Sequence, residues 1–296
     1  MDLRQLKTFR AVAELGSLSK AADRLRIAQP ALSRQIKLLE HDLKTPLFTR
    51  HGRGMVPTEA GELLFERTAG LVRRLEQARE DVLAMAGEPI GRVVVGLVPT
   101  VSAALAARIT RAVVDNHPGI ELRLVDAYGG YLIDWLHRGE IDLAVVYGRA
   151  RTLHLAAEAM RSDAMFAVAA PGQGLERRRS VTLAWLATQP LVLPSAPHGL
   201  RALLEARFAV AGLTLSTRVE ADSWPALVDV VSAGVGMTVL PHYAVADRVA
   251  AGRLLAVPIT PRLDRELVLA MPVGDGRSLA TRTVADIVRA AVAELG

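Results

Sequence analysis

The stretch SLSKAADRLRIAQPALSRQIKLLE, residues 17–40, can fold compactly in few ways. It reads as two short helices joined by a tight turn. Ser17 or Ser19 can cap the first helix, whose inner face carries Ala21, Ala22 and Leu25. A break at Arg26-Ile27-Ala28 follows. Gln29-Pro30 then opens a second helix, because proline at the first helical position loses no intrahelical hydrogen bond. Leu32, Ile36 and Leu39 recur at spacings of 4 and 3 and form one buried stripe, while Gln29, Ser33, Arg34 and Lys37 point elsewhere. Two helices at a sharp angle, the second with hydrogen-bonding side chains near its start, are the reading head of a helix-turn-helix.

Charge supports DNA as the partner of that head. Residues 1–58 hold 11 Lys+Arg against 5 Asp+Glu, a net +6, whereas the whole chain is only +5, so the other 238 residues sum to −1. All four lysines (Lys7, Lys20, Lys37, Lys44) lie in this segment. Positive charge gathered on one small module is the footprint of phosphate binding, although a solvated basic surface gives the same count. A helix precedes the motif: Asp2 and Gln5 suit a capping box, and Leu3, Leu6, Phe9, Val12 and Ala13 supply its apolar face. Leu43, Pro46, Leu47 and Phe48 close the small core. Residues 49–55, Thr49 to Met55, then read as a glycine-hinged hairpin, a wing. Arg50 and Arg53 on it would reach phosphates or a narrow minor groove, or else are ordinary surface charges.

The pattern AAxxLxIAQPALSRQIKxLExxLxxPLFxRxGRGxxPTEAG resembles the N-terminal winged helix-turn-helix of LysR-type bacterial transcriptional regulators. The match runs over about 60 residues in the expected order and spacing, and the chain length and downstream pattern fit as well. The resemblance implies that Gln29, Pro30, Ser33 and Arg34 contact bases or backbone in the major groove and that Arg53 serves the wing; Lys37 on the same helix and Arg50 on the same loop are further candidates for DNA contact from their positions.

No run of 18 uncharged apolar residues is present, so no membrane-spanning helix is expected, and the charged N-terminus lacks the apolar core of a signal peptide. The chain has no cysteine, which excludes disulfides and cysteine-ligated metals. A cytoplasmic location is expected.

Residues 59–86 read as one long helix behind a Thr58 cap, with Glu59 and Glu62 favourable in its first turn. Leu64, Thr68, Leu71, Leu75, Ala78, Val82 and Met85 are spaced 4, 3, 4, 3, 4, 3, a heptad seam. The seam either packs on its own domain or joins two chains. The second is preferred, with Leu64, Leu71, Leu75 and Val82 as contacts, because residues 87–91 are a short glycine- and proline-containing hinge with no core to lie on. A dimer also supplies the symmetry that a palindromic operator needs.

From Arg92 on, strands alternate with helices: strands at 93–97, 120–125, 141–146, 165–169, 191–193, 215–220, 237–240 and 267–271, and helices at 102–114, 131–137, from 200, 225–233 and 278–295. That alternation predicts a parallel sheet covered on both faces. The expected fold class is α/β: an N-terminal winged helix-turn-helix (1–58), a long linker helix (59–86), a hinge (87–91) and a C-terminal two-lobed α/β domain (92–296). Lobe I takes about 92–162 and 267–296, and lobe II about 163–266, so the chain crosses between lobes twice. By the same family resemblance this region is a periplasmic-binding-protein-like effector-binding domain.

In an open α/β sheet, ligands sit beyond the carboxyl ends of strands, at helix N-termini. That rule selects Thr100, Val101 and Ser102 after the first strand, Gly129 after the second, Tyr147 after the third, and Ser195, His198 and Trp224 in the other lobe. Thr100 and Ser102 offer hydroxyls beside free backbone N–H groups, which suits a carboxylate, though such residues are often only caps. His198 pairs with an anion or faces solvent, Trp224 packs on a ligand or in the core, and Arg201 reads as a surface charge.

The glycines at 234 and 236 precede a strand instead of following one, so they are not a dinucleotide fingerprint. The seven histidines are scattered without metal-ligand spacing, and Ser33 has no plausible base partner. No catalytic set, no metal and no cofactor is expected. Three function classes remain: a ligand-responsive regulator, a constitutive or architectural DNA binder whose C-terminal part only oligomerises, and an enzyme of the solute-binding fold fused to a DNA module. The polar loops at the strand ends favour the first over the second, and the absence of acid, base, nucleophile or metal sets disfavours the third. The expected partners are a double-stranded DNA operator, a small organic effector that the helix N-termini favour as an anion, and a second copy of the chain through the heptad seam, with a homotetramer implied by the family resemblance; RNA polymerase is allowed and no membrane is included. Val145-Val146-Tyr147-Gly148-Arg149 and Leu193-Pro194 resemble, loosely, the nitrogen assimilation control branch, which implies a reduced need for an effector.

Overall fold

A computed structural model describes residues 1–51, 54–84, 87–273 and 277–295 of the 296. Two compact units emerge, one built by Met1–Leu83 with Arg138–Glu140 and one by Ala84–His137 with Ile141–Gly296.

The first unit begins with three helices, α1 (Leu3–Leu15), α2 (Leu18–Leu25) and α3 (Gln29–Leu43). Asp2 and Gln5 form a reciprocal capping box on α1, and Ser17 caps α2 by accepting from the Lys20 amide. Ala28 occupies the cap of α3, so Gln29 is its first residue and Pro30 its second, one position later than the sequence suggests. The tolerance is the same, since neither position has an intrahelical acceptor for its N–H. Phe9, Val12, Ala21, Leu32, Ile36, Leu39 and Leu47 form one buried core. A hairpin follows, β1 (Phe48–His51) and β2 (Gly54–Pro57), with Arg50 opposite Met55 and His51 opposite Gly54. Gly54 adopts φ +131°, and a Cβ there would lie 2.3 Å from the Gly16 carbonyl oxygen, so only glycine fits. The neighbouring Met55 amide donates to that oxygen at 2.8 Å and pins the hairpin to the end of α1.

Thr58 then starts the long helix α4 (Glu59–Ala84), accepting from the Gly61 amide at 3.1 Å and donating to the Pro46 carbonyl at 2.8 Å. The first turns of α4 belong to the same small core: Leu64 and Phe65 pack against it, and Thr68 is buried. Leu64 is half-buried against this core, so part of its side chain remains on the line of the seam. Further along, Leu71, Leu75 and Val82 are 58%, 52% and 68% exposed. Met85, the last position of the seam, lies outside the described residues.

The second unit opens with β3 (Gly91–Leu97), α5 (Pro99–Asn116), β4 (Ile120–Asp126), α6 (Gly129–Arg138) and β5 (Leu143–Tyr147). Gly91 is thus part of a strand and not of the hinge. The long β6 (Ala156–Ala169) leads to α7 (Leu183–Leu186), β7 (Leu191–Leu193), α8 (Gly199–Val210), β8 (Thr217–Glu220), α9 (Trp224–Ser232), β9 (Thr238–Pro241), α10 (Ala246–Ala250) and β10 (Leu255–Pro258). The chain closes with β11 (Asp264–Met271) and α11 (Leu279–Ala293).

One lobe carries the strand order β4-β3-β5-β11-β6. β3 runs parallel to β4 and β5, but β11 is antiparallel to β5 and β6, so the sheet is mixed and not all-parallel. The reason is the route: β11 arrives directly from the other lobe, not through a crossover helix, and so is free to run the other way. In the other lobe the second half of β6 lies between β9 and β10, and Leu191 bridges to Met237 to add β7 and β8. Alternate residues serve opposite faces there: Leu193 and Val239 join Leu204 and Phe208, whereas Val192 and Leu240 join Val228 and Val231. α11 packs with α5 through Val284 and Val288 on the first lobe's core. No described helix is long and apolar enough to cross a membrane.

Candidate functional site

Two surfaces concentrate chemistry, one in each unit. In the first, Leu32, Ile36 and Leu39 turn α3 inward, so Gln29, Pro30, Arg34 and Lys37 are left exposed and Ser33 half-buried along the opposite side. Among the described residues neither Arg34 nor Lys37 forms an ion pair, so both charges face outward uncompensated. Glu40 is a feature the sequence alone does not reveal. Its carboxylate accepts from the Leu47 amide at 2.8 Å and the Phe48 amide at 3.3 Å, fixing where the wing leaves α3. Arg50 sits in β1 by its backbone, and Arg53 lies outside the described residues.

In the second unit a cavity of about 680 Å³ opens between the two lobes. Lobe I contributes Val98, Pro99 and Thr100, then Tyr128 and Gly129, then Tyr147; lobe II contributes Ser195, His198, Asp222, Trp224 and Leu240; Met165 and Arg265 come from the strands that run between them. Of the eight residues that sequence singles out, Thr100, Gly129, Tyr147, Ser195, His198 and Trp224 line this space. Val101 and Ser102 do not. α5 starts at Pro99, three residues earlier than expected, which rotates Val101 into the lobe I core and Ser102 onto Asp126.

The lining residues differ in what they leave free. Ser195 is fully engaged, its amide and hydroxyl both on the Asp222 carboxylate at 2.8 Å. Trp224 opens α9 and packs against the Val228 cluster while facing the cavity. Arg201 binds Glu205 and Glu220 and takes no part. Thr100 directs its hydroxyl toward that of Tyr147 but makes no well-formed hydrogen bond among the described residues.

His198 neither faces bulk solvent nor carries charge. It caps α8, its Nδ1 accepting from the Leu200 amide at 3.1 Å, and stands edge-on to Tyr128 with ring centroids 4.5 Å apart. Burial, with Arg265 nearby, pushes its pKa down from 6.5 to about 4, against a smaller opposing pull from Asp222. The imidazole is thus neutral at physiological pH and offers an Nε2–H donor. Below pH 6.5 the unfolded chain takes up a proton that the folded site refuses, so the contribution of His198 to stability is lost as pH falls from about 6.5 to about 4. His198→Asn keeps a capping acceptor but cannot titrate, and should flatten that part of the pH profile of urea unfolding. Equal slopes for parent and variant would contradict the buried neutral assignment.

Behind the cavity lies a polar cluster. The Tyr147 and Tyr243 hydroxyls are 2.5 Å apart and lie 3.3 and 3.1 Å from Asp163 Oδ2, so one tyrosine donates to Asp163 while the other donates to its neighbour's hydroxyl. Arg161 balances Asp163 at 2.6 Å. Desolvation by burial, reinforced by Asp163, raises Tyr147 to about 12 and raises Tyr243 as well, so both remain protonated donors. Asp163, Tyr243 and Arg265 are absent from the set that strand-end reasoning selects.

Residues 3–62 match the family described as bacterial regulatory helix-turn-helix protein, lysR family, and residues 86–293 match the LysR substrate binding domain. The chain is a member of the LysR family of DNA-binding transcriptional regulators. This LysR regulator is 32% identical over 292 residues to the nitrogen assimilation regulatory protein nac of Klebsiella aerogenes, covering 97% of this chain and 94% of that one. It is 28% identical over 265 residues to a RuBisCO operon transcriptional regulator of Allochromatium vinosum, covering 90% and 87%. Both relatives are regulators, and the family is not one of enzymes. The fold matches a full-length OxyR variant from Pseudomonas aeruginosa, with TM-score 0.77, 19% identity and coverage of 100% and 96%. It also matches full-length CbnR in complex with its target DNA, with TM-score 0.71, 21% identity and coverage of 98% and 100%. The C-terminal unit of this LysR regulator is accordingly its effector-binding domain.

Proposed function

We propose that this regulator reads a double-stranded DNA operator with the exposed side of α3, that the wing arginines Arg50 and Arg53 add backbone or minor-groove contacts, and that a small organic anion bound between the lobes controls it. It acts in the cytoplasm as a homodimer or homotetramer, with Leu71, Leu75 and Val82 of α4 in the dimer seam. The observation that carries the effector reading is the cavity itself. It lies at the strand ends of both lobes, is lined by the N-terminal residues of α5 and α8, and has in its wall, at Thr100, an enclosed hydroxyl without a well-formed partner. Helix N-termini favour negative charge, and a hydroxyl beside them suits a carboxylate. A bound ligand can shift the regulator only if one arrangement of the lobes holds it more tightly than the other.

The test is Thr100→Val, nearly isosteric but lacking the hydroxyl. A small organic acid that binds the parent in a calorimetric screen should bind the variant about five- to tenfold more weakly, the effect of about 1 kcal/mol from one lost hydrogen bond. Operator binding without the acid should not change. Equal affinity for parent and variant would place the site outside the cleft.

A further inference from the structure

Arg265 stands at the second position of β11, opposite Asp163 of β6, and its side chain reaches the cavity. The guanidinium carbon lies over the Tyr147 ring, 4.0 Å from its centroid. Its Nη2 is 3.1 Å from the place a Cβ on Gly199 would occupy. Gly199 is the first residue of α8, a 12-residue helix, so the guanidinium and the helix's positive end meet at one spot. Among the described residues no carboxylate pairs with Arg265, and the Asp163 carboxylate across the strands is taken by Arg161 at 2.6 Å. Most of the side chain is enclosed by protein, and burial lowers its pKa. Asp163 attracts the guanidinium across the strands, but its close contact is with Arg161, so an anion in the cavity beside Arg265 would supply the direct partner that the guanidinium lacks.

The rim carries the opposite sign. Asp134 and Asp222 line the same cavity and are exposed. Asp222 is held ionised by the amide and hydroxyl of Ser195. Between the enclosed cation and the acidic rim, the walls are apolar, with Met165, Leu227 and Leu240.

We infer that the ligand is a small monocarboxylic acid, whose carboxylate pairs with Arg265, whose apolar body lies along Met165, Leu227 and Leu240, and whose far end cannot be a second acid group because Asp134 and Asp222 repel it. This rests on the cleft reading above and adds the orientation and charge of the ligand. Arg265 is the specificity-determining residue, and Thr100 supplies a further donor.

Four six-carbon probes separate the possibilities by calorimetry on the full chain: hexanoate, hexanamide, adipate and 6-aminohexanoate. Hexanoate and 6-aminohexanoate should each bind about tenfold or more tightly than hexanamide and adipate, the size expected of one charge-assisted contact. Arg265→Gln should erase the preference of hexanoate over hexanamide, and Arg265→Lys should keep part of it. Asp222→Asn, at an exposed position, should narrow the gap between adipate and hexanoate, and it tests the rim even if Arg265→Gln fails to fold. Hexanamide equal to hexanoate, adipate the tighter ligand, or no binding by any of the four overturns the inference.

Gly130→Trp distinguishes the two levels of the reading. Gly130 lines the cavity, and a Cβ there meets nothing within 4 Å, so the indole obstructs the cleft without a clash at its base. Hexanoate that binds Gly130→Trp as well as the parent removes the cleft reading itself. Acid and amide bound alike, and both lost in Gly130→Trp, remove only the Arg265 assignment.

Discussion

Arg34→Ala should bind the operator on the order of 10- to 100-fold more weakly than the parent at fixed salt, and should relax discrimination at one base pair of each half-site. The expected cost is about 1–3 kcal/mol, that of an arginine lost from a base edge. The size follows from where Arg34 sits. It is exposed on the side of α3 away from Leu32, Ile36 and Leu39, and it forms no ion pair among the described residues, so removing it disturbs no fold contact. Ser33→Ala, at the half-buried neighbour, should act at the same base pairs. Lys37→Ala and Arg53→Ala should behave differently. If they meet phosphates, each lowers affinity for all sequences alike and reduces the salt slope by about one. Quantitative footprinting over a salt series separates the two patterns, and unchanged protection by Arg34→Ala would exclude α3 as the reader.

Leu71→Glu should abolish the dimer in the concentration range where the parent is assembled, while both units stay folded. Leu71 is 58% exposed on a single chain and Leu75 52%, so neither holds its own unit together. In a two-fold interface each substitution counts twice. Losing about 1.5–3 kcal/mol of apolar burial per leucine weakens association by roughly a hundred- to ten-thousandfold, before any repulsion between the new carboxylates. Sedimentation equilibrium gives the mass directly. An unaltered mass for Leu71→Glu, with operator affinity intact, means that the seam is not where the chains meet.

What the sequence displays, and what it hides, follows from the range of each interaction. The DNA-binding module is legible because its determinants are local. The caps at Asp2, Ser17 and Thr58 bond to amides three residues on, and the stripe Leu32-Ile36-Leu39 shows the period of the helix. Glu40 is illegible by the same standard, since the amides it holds are 7 and 8 residues away and come close only after the chain turns at Lys44, φ 54°. The first half of β6, with the sequence AAEAMRSDA, hides as well. It carries no apolar alternation, and its partner β11 is about 100 residues distant. That omission also hid the antiparallel pairing within the lobe I sheet.

The cavity shows the same division. Rules about strand ends find Thr100, Gly129, Tyr147, Ser195, His198 and Trp224, because backbone direction is readable from pattern. They err at Val101 and Ser102 because Pro99 already stands in the helix, and a start misplaced by three residues turns side chains to another face. They miss Arg265 because the strand is expected only from Leu267, which leaves Arg265 before it and not beyond a strand end. Only the register of β11 against β6 and the packing of Tyr147 show that this one arginine points inward. His198 is visible as a residue but not as a cap, since its bond to the Leu200 amide depends on the α8 boundary.

The most direct test of the central claim, that this is a sequence-specific regulator reading DNA through α3, is selection of duplexes from a random pool by the full chain at fixed near-physiological salt, run beside Arg34→Ala. The parent should enrich an inverted repeat with half-sites separated by one helical turn or a multiple of it, and Arg34→Ala should lose preference at symmetric positions in both half-sites. No enrichment by the parent, or the same motif recovered equally well by Arg34→Ala, would contradict the account.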